Sequence, residues 1–256
     1  MGNPGTGKTG GLTSLVAAGY KLRILDLDNG LDSLKNYVLK ECPDKINNIE
    51  YRTLRDNRKA TAAGPAMDGA PKAFIAALKM LDRWKYDDVD LGPPKEWGPD
   101  CILVVDSLSR LCDAAFAFHS AISKNPDQRS IYKSAQDDVE KCIAMLTSDS
   151  MRTNVIVIAH VQYMDQPDGT KKGFPQGVGS ALSPKIPQYF ASVVLYTKKG
   201  GNRTLQTNST PMVDLANPKP FAMQPSYPIE TGLADFFAIL RGKPDLKVIK
   251  TGTQRK

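Results

Sequence analysis

The chain has 256 residues, 41% of them hydrophobic, and a formal net charge of +7, enough apolar material for one large core and a surface compatible with an anionic partner. No stretch is long and apolar enough to span a membrane, and a different motif stands where a secretory signal would be, so a cytoplasmic protein is expected. The four cysteines, Cys42, Cys101, Cys112 and Cys142, are irregularly spaced without a Cys-x-x-Cys pair, which argues against a zinc site or a disulfide framework.

The chain opens with Gly2-Asn3-Pro4-Gly5-Thr6-Gly7-Lys8-Thr9-Gly10, which contains a glycine, four free positions and then Gly-Lys-Thr. Glycines let successive backbone N–H groups turn inward around phosphate oxygens. Lys8 brings a positive charge to a β- or γ-phosphate, and the Thr9 hydroxyl can ligate Mg²⁺. A helix is predicted from Thr9 to Ala18, its positive dipole end on the same anion. Only Met1 precedes Gly2, so the strand that ordinarily leads into such a loop is expected to be missing.

Tyr20 to Leu27 reads as a short buried strand closing on Asp26-Leu27-Asp28, and Asp32 to Cys42 as a helix. Tyr51 to Leu54 is a strand candidate, and Arg55 to Ala70 reads as a mobile loop. A helix should start at Pro71 with Phe74, Leu78 and Leu81 on one face. Residues 87–99 form a surface connection. Cys101 to Val105 is an unbroken apolar run ending in Asp106, as a fully buried parallel strand should be. Helices are predicted from Leu108 to Ile122 and Ser130 to Leu146, and a second buried strand from Asn154 to Ala159, ending at His160. Met164 to Pro187 reads as a long Gly/Pro/Lys loop. Ala191 to Thr197, Arg203 to Thr207 and Met212 to Leu215 are strand candidates, and Gly232 to Leu240 is a last helix. Apolar strands alternating with helices imply an α/β fold, mostly parallel, with helices on both faces.

Four side chains at strand ends carry candidate chemistry. Asp106, beside a phosphate loop, can hold Mg²⁺. Asp26 or Asp28 can orient an attacking water, whereas Asp28 or Asn29 can instead cap the helix that follows. His160 can touch a γ-phosphate and relay its loss to the next loop, or be a hydrogen-bonded strand-end histidine. The loop beyond it holds Tyr163, Lys171, Lys172, Phe174 and Lys185, a mixture of cations and aromatics suited to single-stranded nucleic acid.

Together these parts resemble the RecA-type recombinase core, most closely the phage-encoded RecA-like ATPases associated with single-strand annealing. The resemblance spans about Gly2 to Phe221. Gly2 to Thr9 is similar to the Walker A loop and Ile102 to Asp106 to the Walker B strand. Ile24 to Asp32 resembles the segment bearing the catalytic acid, with Asp28 in the acid's place. Ile158-Ala159-His160-Val161 resembles the γ-phosphate sensor segment, with His where RecA has Gln, and the Gly/Lys-rich loop falls where the second DNA-binding loop lies. The resemblance implies a RecA-like P-loop core over residues 1–222 and a C-terminal helix with a basic tail over 223–256. It also implies ATP and Mg²⁺ as ligands, single-stranded DNA as partner, a phage single-strand-binding protein as a further one, and a homo-oligomer with ATP at the subunit interface. Lys198, Lys199 and Arg203 are candidates for the cation reaching a neighbour's ATP. The recombinases' N-terminal oligomerisation segment has no counterpart, so an annealing or accessory role is expected rather than full strand exchange. Nucleotide-gated DNA binding with negligible hydrolysis, or an inactive P-loop remnant, are the alternatives; a small-molecule kinase would need an arginine-rich lid.

Overall fold

The computed structural model describes residues 1–124 and 127–241. After the phosphate loop, a 3-10 turn (Gly10–Leu12) runs into α1 (Thr13–Ala17), followed by β1 (Lys21–Asp26), α2 (Leu31–Glu41) and β2 (Ile49–Thr53). Residues 55–70 are not an open loop: they hold a hairpin of β3 (Arg58–Thr61) and β4 (Gly64–Met67). Gly64, at φ +113, makes the turn, and the Thr61 hydroxyl closes it by donating to Gly64 O at 2.6 Å. α3 (Ala73–Asp82) starts two residues after Pro71, where the Asp56 carboxylate accepts from the backbone N–H groups of Lys72 and Ala73. The connection over 87–99 is entered through a short hairpin that pairs β5 (Lys85–Tyr86), just before it, with β6 (Val89–Asp90).

β7 (Cys101–Asp106) leads to α4 (Leu108–Ile122), capped by Ser107, and then to α5 (Gln128–Leu146) and β8 (Asn154–Ile158). The stretch expected as one long loop folds as β9 (Val161–Asp165), β10 (Lys171–Pro175) and α6 (Gly179–Leu182). Pro167-Asp168-Gly169 makes the hairpin turn. Gly169 sits at φ +79, and Asp168 Oδ1 accepts from both the N–H and the hydroxyl of Thr170. Three strands, β11 (Leu195–Lys199), β12 (Asn202–Gln206) and β13 (Ser226–Pro228), precede α7 (Gly232–Arg241). Met212 to Leu215 is not a strand. Thr210 and Val213 close a tight turn on each other, leaving only single bridges.

The central sheet is parallel, in the order β2-β1-β7-β8. Its middle strands are apolar on both faces because both faces are covered. Leu25, Leu103 and Val105 pack with α3, α4 and α5, whereas Leu22, Ile24, Ile102 and Val104 pack with α1, α2 and α7. Phe236 and Phe237 of α7 meet Leu12 and Leu15 behind the phosphate loop, each burial stabilising by roughly 1.5–3 kcal/mol. β11-β12-β13 form a separate antiparallel sheet.

Met1 and Gly2 join the two sheets. The Gly2 N–H donates to Ala159 O at 3.2 Å, beyond the end of β8, while Met1 O accepts from Tyr196 N at 2.8 Å in β11. Gly2 and Tyr196 form a parallel bridge. Behind this junction lies an apolar cavity of about 290 Å³, with Met1, Ile156, Phe190, Val194 and Phe236 in its wall. Among the described residues no helix is long and apolar enough to cross a membrane. All four cysteines are free. The basic tail, with Lys243, Lys247, Lys250, Arg255 and Lys256, lies outside the described residues.

Candidate active site

Asp26, Asp28, Asp106 and His160 stand at or just beyond the C-terminal ends of parallel strands, where open α/β sheets form their crevice, and the phosphate loop lies beside them. Gly5 and Gly7 adopt the left-handed conformation, at φ +75 and +91. The curl between them is braced by Thr6, whose hydroxyl donates to Asn3 O at 2.8 Å. Pro4 is exposed at its crest. Gly11 N donates to Gly7 O at 2.8 Å, and with Gly10 starts the 3-10 turn that feeds α1.

Lys8 is nearly buried and folds back on its own loop. Its ammonium donates to Gly2 O at 2.9 Å and Asn3 O at 3.0 Å, and lies 3.5 Å from His160 Nδ1. Burial lowers the Lys8 pKa, with Asp106 and Asp28 pulling the other way. An ammonium short of water and held by two carbonyl oxygens and a ring nitrogen is well placed to exchange them for a phosphate.

Thr9 donates to Asp106 Oδ2 at 2.6 Å. Asp106 is 1% exposed, and burial pushes its carboxyl up to about 6, against the pull of the Thr9 bond. One hydroxyl and one carboxylate, both oxygen donors, form the partial shell that Mg²⁺ accepts when water and phosphate complete it. The residues present therefore fit that ion. Among the described residues no group of three or more His, Cys, Asp or Glu is arranged to hold a metal.

Asp26 and Asp28 occupy different surroundings. Asp26 is buried and braces the turn, its oxygens accepting from Asn29 N at 2.9 Å and Thr53 Oγ1 at 3.0 Å. Asp28 faces the site. Its Oδ2 is 3.0 Å from His160 Nε2 and its Oδ1 accepts from Arg110 Nε at 3.0 Å. Its backbone N–H and that of Leu27 both donate to Asp106 O, which fixes this acidic turn against β7. Because the Lys8 ammonium carries only donors, the His160 nitrogen facing it accepts and the other donates to Asp28.

Sequence reasoning missed two residues in the first turn of α4. Ser109 accepts from His160 N at 3.0 Å, tying the end of β8 to the helix, and Arg110 holds Asp28. Their signal was position: they follow Asp106 and the cap Ser107 directly, so they face the same crevice.

Arg203 lies on its own chain's phosphate loop, where its Nε donates to Gly5 O at 3.3 Å. Lys198 and Lys199 are on β11, paired in register with Arg203 and Asn202. Farther out, each candidate nucleic-acid lysine has an acidic neighbour: Lys171 with Asp165 at 3.8 Å, Lys172 with Asp214 at 2.6 Å, and Lys185 with Glu140 at 3.7 Å. Tyr163 is exposed and Phe174 half-buried on the β9–β10 hairpin. The hairpin is tied to the site, since Gln176 N donates to His160 O at 2.8 Å.

A family model described as an AAA domain matches residues 1–217, a span that contains all of these groups. A search of curated proteins finds no match.

Proposed function

The chain belongs to the AAA-domain family, and from that premise we propose that it is a RecA-type ATPase acting on single-stranded DNA in phage-type recombination or annealing. An AAA domain is a nucleotide-binding domain of the P-loop ATPase type. The observation that carries the ATPase reading is the convergence, at adjoining strand ends, of Lys8, the Thr9–Asp106 pair and the Asp28–His160 pair.

In this reading Lys8 leaves Gly2 O and Asn3 O for the phosphates of ATP. Thr9 and Asp106 would hold Mg²⁺, which when bound neutralises charge on the β- and γ-phosphates. Asp28 orients the attacking water and takes its proton as the water oxygen bonds to the γ-phosphorus and ADP leaves. His160 lies between Lys8 and Asp28 and senses whether the γ-phosphate is present. Its backbone bond to Gln176 offers a route to the β9–β10 hairpin, whose Lys171, Lys172, Tyr163 and Phe174 suit a single strand's phosphates and bases. Assembly would set a neighbour's cation, Lys198 or Lys199, against the ATP.

The test is ATP hydrolysis with and without single-stranded DNA, beside Lys8→Ala. DNA-stimulated turnover that the substitution abolishes is expected. Turnover indifferent to both DNA and Asp28→Asn would sink the reading.

A further inference from the structure

Among the described residues, Arg110 is the one cation touching Asp28 for which the scheme above has no use. It sits in the first turn of α4, four residues beyond Asp106, and its guanidinium is held at two points. Nε donates to Asp28 Oδ1 at 3.0 Å, and the Nη1 group donates to Asp113 Oδ2, also at 3.0 Å, one turn along the same helix. Asp113 therefore aims the planar fork, and the fork fixes Asp28. A cleft of about 300 Å³ opens over this pair, with Asn29, Arg55 and Asp56 in its wall.

We propose that Arg110 is the positioning residue for Asp28, setting the rotation of the carboxylate that orients the attacking water. This rests on the reading of Asp28 given above. The carboxylate has two oxygens, one bonded by Arg110 and the other by His160. Each oxygen retains a second lone pair, so the clamp leaves room for a water. The two bonds differ in permanence. His160 also faces Lys8, and its contacts change when a γ-phosphate draws Lys8 away. Arg110 is anchored on α4 and takes no part in that exchange. It is the fixed point that keeps Asp28 in place while His160 responds. Lysine cannot substitute fully, because an ammonium lacks the rigid fork that spans Asp28 and Asp113.

The exposure of the pair separates this role from a merely structural one. Arg110 is 56% exposed and Asp28 23%, and ion pairs so open to water add little to stability. Removing Arg110 should therefore leave the fold intact and appear in turnover. Loss of alignment at a reacting centre costs on the order of 10- to 100-fold.

The experiment measures steady-state ATP hydrolysis for Arg110→Ala, Arg110→Lys, Asp28→Asn and the Asp28→Asn/Arg110→Ala double variant. We expect kcat of Arg110→Ala to fall about 10- to 100-fold with KM for ATP within about twofold of wild type, partial recovery in Arg110→Lys, and a double variant no slower than Asp28→Asn. Full turnover in Arg110→Ala while Asp28→Asn is lost overturns the proposal and leaves the water-orienting role standing. Full turnover in Asp28→Asn, or none in the wild type, removes that role and the proposal with it. A double variant slower than Asp28→Asn makes Arg110 act by itself, not through Asp28, and overturns positioning. A second readout needs no turnover: the Arg110 Nε–H resonance in a ¹H–¹⁵N spectrum should exchange slowly in the wild type and lose that protection in Asp28→Ala, which leaves no acceptor. Fast exchange in the wild type contradicts the clamp.

Discussion

Two residues of the phosphate site set measurable expectations by themselves. Asp106 ionises near 6 in the folded chain because it is buried, against about 3.9 when unfolded. Its folded pKa is raised, so its contribution favours the fold at low pH and is lost as pH rises through about 6. Asp106→Asn keeps an acceptor for Thr9 and removes the buried charge. It is expected to melt above wild type at pH 8 without nucleotide, by on the order of 3 kcal/mol, the gap closing as pH falls towards 4. Melting curves across that range check this; a gap that persists at pH 4 refutes it. Gly7 is constrained twice. Its φ of +91 disfavours any side chain, and an added Cβ would come 2.5 Å from Ile229 Cδ1 and 2.9 Å from Arg203 Cδ. Gly7→Ala should therefore weaken ATP binding at least about tenfold by calorimetry, since loop and neighbours must both shift.

The elements that carry the site were legible because their signals are local. β7 and β8 are apolar runs ending in a polar residue, and burial on both faces demands such runs. The phosphate loop announces itself by glycines that its backbone needs. The two hairpins, β3–β4 and β9–β10, were read as loops for a physical reason. They are short, rich in Gly, Pro and Lys, and exposed along β3, so no alternation of apolar residues marks them. The Pro167-Asp168-Gly169 turn was the available clue for the second. From the residues alone the choice between Asp26 and Asp28 was open and only the resemblance favoured Asp28, since their surroundings depend on Thr53 and Arg110, which lie 27 and 82 residues away from their partners. At this scale the C-terminal helix is expected to matter to the nucleotide. Phe236→Ala should cost about 3–5 kcal/mol and, by loosening Leu12 and Leu15 behind the loop, raise KM for ATP. On the β9–β10 hairpin, the Lys171→Ala/Lys172→Ala pair should weaken single-stranded DNA binding and flatten its log–log salt slope by about 1.4 if both lysines meet phosphates. An unchanged slope would remove the hairpin from the DNA path.

Across the whole molecule, the site lies where two sheets meet, and the cation most firmly placed beside the loop, Arg203, comes from the same chain. If assembly completes the site through Lys198 or Lys199, sedimentation should show larger species with a non-hydrolysable ATP analogue and DNA, and Lys8→Ala should not form them. The junction at Met1 and Gly2 has a different consequence. What ties the loop to Ala159 on one side and to Tyr196 on the other is peptide groups alone. Systematic alanine replacement leaves peptide groups untouched, so such a survey would pass over this attachment and credit the loop's stiffness to side chains nearby. Amide-to-ester exchange at Gly2, which removes the N–H that donates to Ala159 O and weakens Met1 O as the acceptor for Tyr196 N, is the perturbation to which this attachment is sensitive.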